Sequence, residues 1–87
     1  MKVLICVDVQ NDFITGVLGD KKNERIARDI ARYASKVARA KGYQIYATCD
    51  THSPDDYKDT IEGKKLPIHC VPETEGHKIF EGLVKDE

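Results

Sequence analysis

Two histidines and an aspartate in the second half of the chain have the residue types of a metal site. Asp50 and His52 are two residues apart, so their side chains face the same way in an extended segment. His69 follows after a polar loop that can fold back. One carboxylate and two imidazoles form a recurring ligand set for Zn²⁺, Mn²⁺ or Fe²⁺. By spacing alone, solvated or hydrogen-bonded side chains are the commoner explanation.

A second aspartate falls where parallel sheets bind ligands. Asp8 ends an apolar run, and Asp50 directly follows a second predicted strand. Ligands of open α/β sheets bind beyond the carboxyl ends of the strands. If the two strands are neighbours, we expect both carboxylates to point into the same crevice.

The three cysteines are candidate nucleophiles with a simpler explanation each. Cys6 lies inside an apolar run and is predicted to be a core residue, whereas Cys49 ends the second predicted strand and Cys70 follows His69, so that either could lie near the crevice. An odd number of cysteines without a CxxC pair argues against a secreted disulfide framework. No segment resembles a signal peptide or a membrane span, so we expect a cytoplasmic protein.

A strand–helix–strand unit is predicted to position these residues. Residues 2–8 form a continuous apolar run, typical of a parallel strand that is buried on both faces. Residues 23–41 carry apolar side chains at steps of three or four and predict a helix, and residues 43–49 predict a second strand. Together they predict a right-handed βαβ unit. The apolar stripe of the helix consists of Ile26, Ile30, Tyr33, Val37 and Ala40.

The rest of the chain is predicted to be loop, with a helical turn over 79–84. Residues 9–22 and 50–78 are polar and show no period. Two strands and one helix cannot cover their own apolar faces. We therefore expect these residues to belong to a longer chain.

Composition excludes several partners. The 87 residues are 40% hydrophobic and 33% charged, which is ordinary for one globular domain. The chain has 14 basic and 15 acidic side chains and a net charge of -1. It therefore lacks the basic surface that attracts nucleic acid or anionic lipid, and we expect neither nucleic acid nor a membrane as a partner.

Three segments together resemble the nicotinamidase/isochorismatase-like cysteine hydrolase family. Val7–Phe13, VDVQNDF, is similar to the opening VDxQxDF motif of the family. Thr48–His52, TCDTH, resembles its TxDxH segment, and Leu66–Gly76, LPIHCVPETEG, resembles its WPxHCVxGTxG segment. The segments come in the family's order and at its spacing, and they cover nearly the whole chain.

The resemblance implies a fold and a catalytic residue. The family fold is a three-layer α/β/α sandwich with a mostly parallel, Rossmann-like sheet. Residues 1–87 would be the N-terminal βαβ portion of a single hydrolase domain. Asp8 matches the aspartate that acts as base for a cysteine thiol, whose thiolate attacks an amide carbonyl and forms a thioester. Phe13 matches an aromatic residue that lines the substrate pocket.

The resemblance also implies a cofactor and partners. Asp50, His52 and His69 match the metal ligands of the nicotinamidase branch, which would hold one divalent ion, zinc before manganese or iron. Glu62 lies where some members place a further acidic ligand, and a solvated carboxylate is the alternative. The implied partners are a small-molecule amide substrate and further copies of the protein in a homo-oligomer.

The sequence also departs from the family pattern. The family's lysine and nucleophilic cysteine have no counterpart in residues 1–87, so these residues alone should be inactive. Leu66 stands at a usual tryptophan, Thr51 at a usual aromatic residue and Glu73 at a usual glycine. Lost aromatic contacts put nicotinamide itself in question as the substrate.

Other functions stay open at this stage. The chain could belong to an isochorismatase-like hydrolase of another substrate, although the branch without metal often lacks these ligands. It could also be a non-catalytic metal-binding fragment or interaction module. A receiver or flavodoxin-like domain shares the βαβ start but would need paired acids or a phosphate-binding loop, which the sequence lacks.

Overall fold

The predicted βαβ unit is present in the computed structural model, which describes residues 1–84. Within that range, strand β1 (Val3–Val7) and strand β2 (Gln44–Thr48) pair in parallel over their whole length. Helix α1 (Lys21–Tyr33) connects them and continues as a π-helical segment, Ala34–Ala38. The carboxyl ends of both strands therefore lie at the same edge of the sheet, as a shared crevice requires.

Capping residues set the ends of the helical segment. The Asp20 carboxylate accepts a hydrogen bond of 2.7 Å from the N–H of Asn23, so α1 begins before the predicted residue 23. The side-chain amide of Asn23 donates to the carbonyl oxygen of Phe13, at 2.9 Å. Gly42 has a φ of 78°, the left-handed conformation that glycine often adopts after the end of a helix.

Short helical elements interrupt the predicted loops. They are α2 (Pro54–Tyr57), α3 (Glu81–Val84) and 3₁₀ turns at Asn11–Phe13, Glu62–Lys64 and Glu75–His77. The prediction of an irregular loop over 50–78 is thus wrong where α2 and two of these turns form. Ser53 starts α2, since its hydroxyl accepts a 3.3 Å hydrogen bond from the N–H of Asp55. None of the helices between residues 1 and 84 has the length and apolar character needed to cross a membrane.

The core lies between α1 and one face of the sheet. The residues that α1 and its continuation bury are alanines, at positions 27, 34 and 38. In the predicted stripe, Ile26 and Tyr33 are 44% and 45% exposed, so the buried stripe is rotated from the predicted one. Small side chains let the helix approach the strands closely. The core cluster consists of Cys6, Val9, Ile14, Ala27, Ala34 and Leu83, with Leu4, Ile30, Ile45, Ile79 and Phe80 packed against it.

The opposite face of the sheet is exposed. Side chains alternate between the two faces of a strand. Leu4 and Cys6 face α1, whereas Val3, Ile5 and Val7 are 47%, 56% and 65% exposed. The prediction that residues 2–8 are buried on both faces is therefore wrong within the described part of the chain, where α1 covers one side of β1.

A leucine at position 34 tests the close approach of the helix. Ala34 is 1% exposed, so we expect Ala34→Leu to overfill the interface and to lower the free energy of unfolding by about 1–3 kcal/mol. Ala40→Leu is the matched control because Ala40 is exposed, and its effect should stay within about 0.5 kcal/mol. Urea denaturation followed by circular dichroism measures both values. Equal values for the two variants would contradict the packing described here.

Candidate metal centre

Four side chains of the segment after β2 converge on one point. Asp50, His52, Glu62 and His69 each offer one ligand atom, and these atoms all lie within 4.8 Å of one another. The Nε2 atom of His52 is 2.9 Å from Asp50 Oδ2 and 3.3 Å from Glu62 Oε2. The Nε2 atom of His69 is 3.3 Å and 3.1 Å from the same two oxygens. The structure thus brings the three predicted ligands together and adds Glu62, whose role the sequence left open.

Backbone hydrogen bonds bring the two histidine segments side by side. Asp50 and His52 lie in the extended chain that leaves β2, which turns their side chains to the same side. The N–H of His52 donates to the carbonyl oxygen of Cys70 at 3.1 Å. This bond fixes His69, the neighbour of Cys70, beside the segment that carries the other two predicted ligands.

Glu62 reaches the cluster because the chain folds back tightly after α2. The N–H of Gly63 donates to the hydroxyl of Thr60 at 2.8 Å, and that hydroxyl donates to the carbonyl oxygen of Tyr57 at 2.7 Å. A Cβ at Gly63 would overlap the Tyr57 carbonyl oxygen, so this position needs glycine. The sequence signal for this fourth donor was its position, where some members of the family place a further acidic ligand.

A carbonyl group selects the tautomer of His69. Its Nδ1 atom lies 2.8 Å from the carbonyl oxygen of Pro67, which can only accept a hydrogen bond. Nδ1 therefore carries a ring proton, and Nε2 is the nitrogen that faces the carboxylates of Asp50 and Glu62. Nε2 and the two carboxylate oxygens together form a donor set that suits a cation.

Aromatic rings enclose the histidines. An aromatic ring packs edge-to-face against a histidine in three pairs, with distances between ring centroids of 5.4 Å for Phe13 and His69, 4.8 Å for Tyr57 and His52, and 5.5 Å for Tyr57 and His69. Tyr57 is buried, and its hydroxyl lies 3.2 Å from the carbonyl oxygens of residues 66 and 67. Burial, followed by the charges of Glu62 and Asp50, raises the pKa of the Tyr57 phenol, which therefore stays a neutral donor.

Asp8 lies half-buried at the end of β1 in an unusual conformation. Its φ is 57°, in the left-handed region that few non-glycine residues adopt. Its N–H donates to the carbonyl oxygen of Thr48 at 3.2 Å, which ties it to the end of β2. With Phe13, Asn23 and Ile30 it lines a groove of about 230 Å³. Strained residues of this kind cluster at functional sites.

The cysteines differ in exposure. Cys6 lies in the core, as predicted, and burial raises its pKa. Burial, followed by the charges of Asp50, Asp12 and Asp8, raises the pKa of Cys70 to about 12. That thiol stays protonated at neutral pH and is a poor nucleophile.

Sequence reasoning missed the role of Gln10. This residue is fully buried, and its Nε2 donates to the carbonyl oxygens of Asp50 at 3.0 Å and His77 at 2.7 Å. Its Oε1 accepts from the N–H of Asp50 at 2.8 Å. His77 is half-buried, and its Nε2 lies 2.8 Å from the hydroxyl oxygen of Thr51.

Fold and site together define an α/β protein with a candidate metal centre at the carboxyl ends of two parallel strands. The family model of the isochorismatase domain matches residues 2–87. The chain belongs to the isochorismatase family, as its three motifs predicted.

Relatives of known structure or function are about twice as long. The chain is similar to the nicotinamidase of Saccharomyces cerevisiae (strain ATCC 204508 / S288c), with 31% identity over 97% of this chain and 50% of the yeast protein. The zinc complex of the pyrazinamidase of Pyrococcus horikoshii superimposes with a TM-score of 0.71 and 31% identity, over 90% of this chain and 44% of that one. A nicotinamidase from Bacillus subtilis superimposes with a TM-score of 0.70 and 27% identity, over 91% of this chain and 43% of that one.

These matches confirm the predicted fold class. The two-stranded parallel sheet with its helices corresponds to the N-terminal part of the isochorismatase-like α/β fold. The chain spans about half the length of the relatives that it matches.

Thiol labelling tests the description of the cysteines. At pH 8 we expect iodoacetamide to modify Cys49 first, because Cys49 is exposed whereas Cys6 and Cys70 are buried with raised pKa values. The rate for Cys49 should exceed the other two by about tenfold or more. Peptide mass spectrometry gives the three rates, and protein unfolded in urea is the control in which they should converge. Labelling of Cys70 as fast as Cys49 would contradict its burial.

Proposed function

We propose that residues 1–87 form the N-terminal part of a single nicotinamidase-like hydrolase domain that acts on amide C–N bonds. The observation that carries this proposal is the convergence of Asp50, His52, Glu62 and His69 at the strand edge that also bears Asp8. The isochorismatase family and the relatives named above support a hydrolase. Three free cysteines support a cytoplasmic location, and homo-oligomerisation stays a prediction.

The cation that these residues would hold is a single divalent ion, zinc first. Two imidazole nitrogens and two carboxylate oxygens suit zinc, and the same set accepts manganese or iron. The zinc complex of the similar pyrazinamidase supports zinc. When bound, the ion would supply a Lewis acid that holds water and orients a ring nitrogen of the substrate.

Asp8 would act as the general base. Its carboxylate takes the proton of a cysteine thiol, and the thiolate sulfur forms a bond to the amide carbonyl carbon. The C–N bond then breaks, the nitrogen takes the proton and leaves as ammonia, and water hydrolyses the thioester to the acid and the free thiol. The family's cysteine and lysine have no counterpart in residues 1–87, so the complete catalytic set would form only in a longer protein.

The substrate would be a small amide, either with or without an aromatic ring. Phe13 offers a ring beside His69, but Thr51 hydrogen-bonds to His77 where an aromatic side chain is usual in the family. Each missing aromatic contact lowers the affinity for a ring substrate by about 0.5–1.5 kcal/mol. This observation favours, as a second candidate, an isochorismatase-like hydrolase of a non-aromatic amide.

Zinc binding is the first test. We expect the wild-type protein to bind one Zn²⁺ per chain. His69→Ala should weaken Zn²⁺ binding by about 100-fold or more, because changes to residues that only support a ligand already cost about 10–100-fold in metal affinity and the loss of a ligand should cost more. Glu62→Gln keeps an oxygen donor and loses only the charge, so it should weaken binding less, by about 10–100-fold. Asp29→Asn is the control, because Asp29 is an exposed carboxylate of α1 and lies outside the cluster. Competition with a chromogenic chelator gives the affinities, and wild-type affinity in His69→Ala would contradict the site.

Amide hydrolysis is the second test, made on the zinc-loaded product of the complete gene. Ammonia release is measured with nicotinamide, pyrazinamide and an aliphatic amide. We expect Asp8→Asn to lower kcat by about 10²–10⁴-fold without changing the zinc content, because asparagine tolerates the left-handed backbone but cannot take the proton. Asp29→Asn, at an exposed carboxylate of α1, is the control. Absence of both zinc and hydrolysis in the wild-type protein would count decisively against the proposal.

A further inference from the structure

Asp12 holds the backbone next to a proposed metal ligand. It lies in the 3₁₀ turn Asn11–Phe13, and its Oδ2 accepts a 2.7 Å hydrogen bond from the N–H of Cys70. Cys70 follows His69 directly and has a φ of 52°, in the left-handed region. A side chain with a Cβ adopts this conformation only where its surroundings impose it. The bond to Asp12 is one such constraint, since an ionised acceptor makes a strong hydrogen bond.

The carboxylate of Asp12 is itself enclosed. A Cβ at Gly76 would overlap the carboxylate, so the backbone of the 3₁₀ turn Glu75–His77 lies directly against it. Asn11 holds this turn in place through two hydrogen bonds. Its side-chain amide donates to the carbonyl oxygen of Glu75 at 2.9 Å, and its backbone N–H donates to the carbonyl oxygen of Lys78 at 3.0 Å. Asp12 therefore has little freedom to turn away from Cys70.

The Cys70 backbone links two of the four donors. Its N–H is held by Asp12, and its carbonyl oxygen accepts from the N–H of His52. Fixing both groups of Cys70 sets the position of His69 relative to His52. Asp12 is not one of the four converging donors, so it acts on the cluster through this backbone.

We propose that Asp12 is a positioning residue of the metal centre: its hydrogen bond to the Cys70 N–H, under the cover of Gly76, directs His69 Nε2 at the cation. This inference rests on the proposed metal-binding function. A role in folding alone would leave the affinity for the cation and the ligand field unchanged in any variant that folds. A positioning role changes both.

The test compares three variants of the purified protein. Asp12→Asn keeps the shape and an acceptor oxygen but loses the charge, Asp12→Leu keeps approximate size and loses the acceptor, and Asp29→Asn removes an exposed carboxylate of α1. The readouts are the ligand-field absorption of bound Co²⁺, the Zn²⁺ affinity by chelator competition and the far-UV circular dichroism. We expect Zn²⁺ affinity to fall by about 3–10-fold in Asp12→Asn and by about 10–100-fold in Asp12→Leu, with shifted Co²⁺ bands.

The outcomes separate this inference from the proposed function. Wild-type Zn²⁺ affinity and Co²⁺ bands in Asp12→Asn and in a folded Asp12→Leu would overturn the inference and leave the metal site intact. If Asp12→Leu unfolds, the decision rests on Asp12→Asn against Asp29→Asn, and identical spectra and affinities in these two would overturn it. A wild-type protein that binds neither Zn²⁺ nor Co²⁺ would overturn the proposed function and this inference with it.

Discussion

The buried amide of Gln10 is the constraint on which the candidate site depends. It satisfies both backbone groups of Asp50, at 2.8 Å and 3.0 Å, and also binds the carbonyl oxygen of His77. The chain after β2 has thus left the sheet, but hydrogen bonds still fix both backbone groups of Asp50. A shift of Asp50 would leave buried polar groups unpaired, at a cost of about 1–3 kcal/mol for each. Because the amide is neutral, it orients the Asp50 segment without competing for a cation.

Residues 8, 10 and 12, in the segment after β1, have different roles at the site. Asp8 lines the groove beside Phe13 and Asn23, Gln10 holds the backbone of Asp50, and Asp12 holds that of Cys70. The contacts of Gln10 and Asp12 join residues that are 40 and 58 positions apart in sequence. They therefore connect the segment after β1 to the segment after β2. Asp12 commits its carboxylate to a backbone N–H, so Asp8 is the aspartate of this motif that we propose as the base.

The local hydrophobic pattern predicted the βαβ order, and the resemblance of the motifs to the family predicted the convergence of three donors. They could not decide on Glu62, whose approach depends on Gly63 packing against the Tyr57 carbonyl. They also misplaced the buried stripe of α1. A helix turns by about 100° per residue, so neighbours such as Ile26 and Ala27 cannot both face the core. Tertiary packing buries Ala27 and leaves Ile26 exposed.

The donor atoms of the cluster are of the kinds that a divalent ion binds. The Pro67 carbonyl accepts a hydrogen bond from Nδ1 of His69, so Nε2 of that ring is the nitrogen that faces the carboxylates of Asp50 and Glu62. Metal binding requires neutral imidazoles, so in the bound state the two carboxylates would balance the charge of one divalent ion. The attraction of each donor to such an ion would offset the repulsion between the donors. Burial, followed by the charges of Glu62 and Asp50, raises the pKa of Tyr57, so its phenol remains a neutral donor and adds no negative charge to the site.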